Sequence, residues 1–108
     1  MTGPASDPPA IAVVIPVHNE AENIAPLVAE IKAALAGSAP FEIIYVDDGS
    51  TDTTLQTLKD LGKNNAELRI IHHHTCSGQS AAVATGVRMA HAGVIATLDG
   101  DGQNDPAD

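Results

Sequence analysis

The feature that most constrains this chain is an alternation of two periodicities. Four short apolar runs rich in β-branched residues, Ile11-Ala12-Val13-Val14-Ile15, Glu42-Ile43-Ile44-Tyr45-Val46, Leu68-Arg69-Ile70-Ile71 and Val94-Ile95-Ala96-Thr97-Leu98, read as strands. Between them, Ile24, Leu27, Val28, Ile31 and Leu35 recur at helical spacing, as do Leu55, Leu58 and Leu61, and then Val83, Val87 and Ala90. Strand, helix, strand, helix, strand, helix, strand is the pattern of crossovers on a parallel sheet. Burial on both faces explains why the strands are continuous apolar runs rather than alternating ones. The fold class expected is therefore α/β, a Rossmann-like parallel sheet sandwiched by helices in strand order 3-2-1-4.

Local signals support the helices. Asn19 with Glu22 three residues on, the Ser50-Thr51-Asp52 cluster, and Ser77 or Ser80 beside Gly78 are the expected N-caps. Gly37, Gly62 and Gly93 stand where the three helices should end. Met1 to Ala10, with Pro4, Pro8 and Pro9, reads as a flexible leader, and residues 11–108 as one folded unit. That leader holds no Lys or Arg and no apolar run, so it does not read as a secretory signal. The run at 11–15 is far too short to cross a bilayer.

In a parallel sheet the strand-to-helix loops share one edge, and ligands bind there. Nearly all the unusual polar residues fall in those four loops. They are Pro16-Val17-His18-Asn19-Glu20, Asp47-Asp48-Gly49-Ser50-Thr51-Asp52, His72-His73-His74-Thr75-Cys76-Ser77-Gly78-Gln79 and Asp99-Gly100-Asp101-Gly102-Gln103-Asn104-Asp105. Asp99, Asp101 and Gln103 follow a buried strand at alternating positions, so two carboxylates and an amide oxygen can converge on a hard cation such as Mg²⁺ or Mn²⁺. An Asp-rich turn with no ligand is the plainer alternative. Asp47-Asp48-Gly49-Ser50 serves an Asx-turn and cap, yet two adjacent acids exceed what a cap needs, so Asp48 is either a turn residue or an acceptor for a ribose hydroxyl or base N–H. Glu20 is likewise surplus to capping.

Charge narrows the partners. Five basic residues against fourteen acidic ones give a formal net charge of −9, and the basic residues are scattered, which argues against a nucleic-acid surface. With no Lys or Arg in any of those loops, an edge carrying Glu20, Asp47, Asp48, Asp99, Asp101 and Asp105 would repel a phosphate unless a divalent cation stood between them. Adjacent histidines in a strand point alternately, so His72-His73-His74 does not make a tetrahedral zinc set. Cys76 is the only cysteine, reads as structural, and points to a reducing, cytoplasmic setting.

Together the loops resemble the amino-terminal half of an inverting family-2 glycosyltransferase of GT-A fold, nearest the polyprenyl-phosphate branch typified by dolichol-phosphate mannosyltransferase. The residues that carry this are Val14-Ile15-Pro16-Val17-His18-Asn19-Glu20, Val46-Asp47-Asp48-Gly49-Ser50-Thr51-Asp52, Gly78-Gln79-Ser80-Ala81-Ala82 with Gly86, and Leu98-Asp99-Gly100-Asp101-Gly102-Gln103-Asn104-Asp105-Pro106. The resemblance implies that Pro16, His18, Glu20, Val46 and Asp48, with Asp99, Gly100 and Asp101, hold a GDP- or UDP-sugar. It implies that Asp99, Asp101 and Gln103 hold Mg²⁺ or Mn²⁺ against the diphosphate. His18 stands where the family usually has Tyr, and Gly102 where it commonly has Leu.

The reaction implied is transfer of the sugar with inversion, the acceptor being a polyprenyl phosphate. No catalytic base is identifiable, and the acceptor half and any membrane segments are expected to lie in a longer enzyme of which this is the amino-terminal part. The face on which such a half would dock is expected to be apolar, so self-association is a further expectation. A dinucleotide-binding dehydrogenase needs a Gly-x-Gly-x-x-Gly turn after the first strand, and residues 16–20 hold no glycine. A nucleotidyltransferase needs a basic glycine-rich loop there, and a phospho-acceptor receiver needs its acids after the first strand. A non-catalytic nucleotide- or metal-binding module is the remaining alternative.

Overall fold

A computed structural model describes residues 9–98 of the chain. Expectations that rest on the leader or on Asp99, Gly100, Asp101, Gln103 and their neighbours lie outside the described residues. In chain order the elements are β1 (Ile11–Val17), α1 (Ala21–Leu35), β2 (Phe41–Asp48), α2 (Thr54–Gly62), β3 (Leu68–His73), α3 (Gln79–Met89) and β4 (Val94–Thr97). The strands form one parallel sheet in the order β3-β2-β1-β4, as the alternation required.

Strand pleat divides the core in two. Val13, Ile15 and Val17 of β1 and Ile43 and Tyr45 of β2 face Ile24, Leu27, Val28 and Ile31 of α1 and Leu58 of α2. Ala12, Val14, Ile44 and Val46 face the other way, onto Ala82 of α3. Gly86 lets α3 lie close to the sheet on that side, because a Cβ there would overlap the Val14 side chain. The chain thus winds along one face for two helices and crosses to the other for the third. The point where strand order reverses lies between β1 and β4.

The structure departs from the sequence expectations at several places. Strands β2 and β3 run on through Asp47-Asp48 and His72-His73, since ladder pairing continues where the apolar run stops. Pro16 is inside β1 rather than ending it. Val14 uses its carbonyl toward Leu98 of the β4 side, so Pro16, two residues on, directs its missing N–H toward that same side, past the last β1–β4 pair. Strand β4 is exposed along its whole length, against the expectation of a buried strand, because it pairs with β1 alone and α3 leans on β1 and β2.

The caps also differ. Helix α1 starts after Glu20, and Asn19 does not cap it but sits in left-handed backbone at φ 54°. Helix α3 starts after Gly78, with neither Ser77 nor Ser80 capping. Of the three glycines expected to end helices, Gly37 alone has the left-handed φ of such an ending, at 81°. Gly62 closes α2 from within, and α3 ends at Met89 with Ala90 as its C-cap, three residues before Gly93.

Candidate functional site

The described residues at the carboxyl ends of β1, β2 and β3 are fastened to one another by side chains that bridge loops. Asn19 carries most of the first junction. Its left-handed backbone turns the side chain toward the β2–α2 loop, where Oδ1 accepts the amides of Thr51 at 2.8 Å and Asp52 at 3.3 Å. The Asn19 amide in turn donates to Ser50 Oγ at 2.9 Å. Beside it, His18 donates from Nδ1 to the Asp48 carbonyl at 2.8 Å, and the Glu20 amide donates to Thr54 Oγ1 at 3.0 Å. Glu20 Oε2 accepts from Asn23 Nδ2 at 3.1 Å, so the half-buried carboxylate is held at the start of α1.

The register of β2 on β3 places Asp47 opposite His72 and Asp48 opposite His73. The pleat then sends these two pairs to opposite faces. Asp47 is fully buried on the α1–α2 face, with Oδ2 2.9 Å from His72 Nδ1 and Oδ1 accepting the Ser50 amide at 3.3 Å. This Ser50 contact reaches three residues on, where the Asx-turn anticipated for the loop would reach two.

Asp48 faces α3 and is 4% exposed. Its Oδ1 accepts from His73 Nδ1 at 3.0 Å and from the Ser77 amide at 2.9 Å. Its Oδ2 accepts from the Gly78 amide at 2.8 Å and from Cys76 Sγ at 3.4 Å. Burial pushes this carboxyl up. The amide of Ser77, the ring of His73, the amide of Gly78 and the thiol of Cys76 outweigh that and hold it down at about 2. It is therefore an ionised, internally satisfied carboxylate at the mouth of α3. The β3–α3 loop can come so close because Gly49, at φ 70°, has no Cβ; one added there would stand 2.5 Å from the Cys76 nitrogen.

Pro16, His18, Glu20, Val46 and Asp48 are thus all described, at or beside this edge, with Val46 and Asp48 on the α3 face. Asp99, Gly100, Asp101 and Gln103 follow Leu98 outside the described residues. Leu98 itself donates its amide to the Val14 carbonyl at 3.1 Å, at the carboxyl end of β4. Sequence reasoning missed the part played by His73, set aside with its neighbours once zinc was discounted, and that of Cys76 and Thr85. The signal that could have found His73 was strand register: extending β3 by two residues pairs each histidine with an aspartate.

A doubly wound parallel sheet whose loops converge where the strand order reverses is the architecture of a nucleotide-binding α/β enzyme domain. The particular family follows from comparison with known proteins. The chain matches the family model described as Glycosyl transferase family 2 over residues 12–108, and it belongs to that family. It is 44% identical over 101 residues to the dodecaprenyl-phosphate galacturonate synthase of Rhizobium johnstonii, a match covering 91% of this chain and 30% of that protein. Among solved structures it is similar to S. aureus TarS in complex with UDP-GlcNAc, at TM-score 0.73 and 26% identity over 84% of this chain and 26% of that one. It also shares its fold with the mannosyltransferase PcManGT of Pyrobaculum calidifontis, described in complex with GDP-Man and Mn²⁺. That match has TM-score 0.76 and 24% identity over 90% of this chain and 29% of that one. The fold is GT-A, and the chain spans about 30% of the length of the curated relative.

Proposed function

We propose that this chain forms the donor-binding part of an inverting glycosyltransferase that takes a GDP- or UDP-sugar and delivers the sugar to a polyprenyl phosphate. The observation that carries this reading is the fastening of the β1, β2 and β3 loops around Asp48 beside the strand-order reversal. TarS, with its UDP-GlcNAc, and the Rhizobium enzyme, with its dodecaprenyl phosphate, support the donor and acceptor classes.

In this reading Pro16, His18, Glu20, Val46 and Asp48 surround the nucleoside, and Asp99, Gly100 and Asp101 the diphospho-sugar. The four acceptor positions of Asp48 are taken, so a base N–H reaching it replaces the weakest donor, the Cys76 thiol at 3.4 Å. Asp99, Asp101 and Gln103 supply an all-oxygen donor set suited to Mg²⁺ or Mn²⁺, and would hold it. That ion, when bound, neutralises the charge growing on the departing diphosphate. A polyprenyl phosphate acceptor brings an oxygen that is already ionised, so the described residues need provide no strong base. None of the described helices is long and apolar enough to cross a membrane; we place the reaction at a cytoplasmic membrane face reached through segments beyond this chain.

Isothermal titration of UDP, GDP, UDP-glucose and GDP-mannose, with and without Mn²⁺, tests the reading. Metal-dependent binding of the sugar nucleotides that disappears in Asp101→Ala is the expected result. Binding by none of the four ligands to the folded chain refutes a preformed donor site.

A further inference from the structure

His73 ends β3 with both ring nitrogens engaged. Nδ1 lies 3.0 Å from Asp48 Oδ1 and Nε2 lies 2.9 Å from Thr85 Oγ1, whose hydroxyl also lies 3.0 Å from the Ala81 carbonyl one turn earlier in α3. The ring is therefore a strut between a strand and a helix, with Asp48 at one end and Thr85 at the other. A carboxylate torsion is broad and two-fold, so burial alone does not choose the plane in which the two oxygens lie. The Ser77 and Gly78 amides belong to the loop that the carboxylate gathers, and Cys76 is a weak donor on the same loop. Of the four donors, His73 alone belongs to a strand in register with Asp48, and its side chain carries the contact on to a side chain of α3.

We propose that His73 is a positioning residue for the nucleoside site: as a strut between Asp48 and Thr85 it fixes the plane of the Asp48 carboxylate, and that plane sets the loop from Cys76 to Gly78. The proposal rests on the donor-binding reading above and deepens it. Oδ1 is anchored by His73, the loop amides align on the fixed plane, and the side of Oδ2 shared with Cys76 faces the incoming nucleoside. The histidine run, which zinc chemistry did not explain, then has a member with a defined task.

Two substitutions separate the ends of the strut. His73→Asn puts an amide N–H where Nδ1 is and keeps the Asp48 bond; His73→Gln puts one near Nε2 and keeps the Thr85 bond. Each loses one bond, so a merely structural role predicts equal losses of nucleotide affinity. The experiment measures the dissociation constants of UDP and GDP by calorimetry, together with the amide proton shifts of Ser77 and Gly78 by NMR. In His73→Gln the two amide resonances move upfield and affinity falls about tenfold, the equivalent of about 1.4 kcal/mol. In His73→Asn, which keeps the Asp48 bond and loses the Thr85 anchor, the resonances move less and affinity falls about threefold. Equal loss in the two variants, or Ser77 and Gly78 resonances unmoved in His73→Gln, overturns the proposal. If the resonances respond as stated but no form of the chain binds UDP or GDP, the strut is real and the donor-binding reading is what fails.

Discussion

Replacing Asp48 with Asn tests whether the mouth of α3 is organised by charge. The native carboxyl is held at about 2 against an ordinary 3.8, and the side chain is nearly fully buried. A shift of that size corresponds to about 2 kcal/mol favouring the folded state when the group is ionised. Because the folded value is the lower one, this stabilisation is complete above about pH 4 and is lost as the pH falls through about 2. Asn carries no charge and offers one oxygen, so its NH₂ must face either the Ser77 or the Gly78 N–H, donor against donor. At about pH 7 the Asp48→Asn chain should therefore be less stable by about 2 kcal/mol or more, a drop in Tm of about 8 to 15 °C for a domain of this size. Urea titrations followed by far-UV circular dichroism, from about pH 7 to about pH 2.5, measure the difference directly. It should narrow steadily in the acid range, where the unfolded chain takes up a proton at this carboxyl before the native chain does. A penalty below about 0.5 kcal/mol at neutral pH, or one that stays constant into acid, would refute the claim that an ionised Asp48 holds this loop.

Two further substitutions probe the frame around the site. Tyr45 is wholly buried, its phenol pushed up by burial, and its hydroxyl has no partner among the described residues; Tyr45→Phe should raise stability by about 1 kcal/mol in the same urea assay, and a loss instead would reveal a bonded hydroxyl. Gly49→Ala puts a side chain on left-handed backbone and a carbon 2.5 Å from the Cys76 nitrogen, so it should cost more than about 2 kcal/mol and shift the Ser77 and Gly78 amide resonances; unshifted resonances would show that the two loops are not in contact.

Much of this architecture was legible because it rests on periodicity. The β1 and β2 runs, the stripes of α1 and α2 and the strand order follow from burying one stripe or face against another, and burial is written locally in the sequence; the third stripe does not hold, because α3 turns Ala82 and Gly86 to the sheet and leaves Val87 exposed. The ends of the elements were less legible. Asp47-Asp48 and His72-His73 look like loop residues because they are polar, yet a parallel ladder pairs backbones and is indifferent to side chains, so both segments stay in the sheet. Asn19 has the composition of a helix cap, and its oxygen does accept backbone amides, but those of the neighbouring loop at Thr51 and Asp52. Such a partner depends on which loops the sheet brings side by side, which spacing along one chain does not record. The exposure of β4 was hidden for a related reason: an apolar run specifies a strand but not whether a helix will lie over it.

The structure also revises how the acidity of this edge should be weighed. Read from sequence, its carboxylates form one repulsive cluster that any diphosphate would have to overcome with a cation. In the fold those among the described residues are individually answered. Asp47 is paired with His72 and the Ser50 amide, Asp48 with His73 and two amides, and Asp52 with the amide and hydroxyl of Thr54. Oriented N–H dipoles at fixed distance offset a carboxylate charge locally, so the potential an incoming diphosphate meets is smaller than the formal count implies. The demand for a cation then falls on Asp99 and Asp101, whose place in the sequence directly follows the amide that Leu98 gives to β1. In the proposed donor site, nucleoside and diphosphate therefore call on different carboxylates. One set is saturated by the protein itself and shapes the loops. The other would be completed by a metal and the donor together, which is why binding of UDP or GDP alone should depend on His73 and Asp48, whereas dependence on Mn²⁺ should track Asp101.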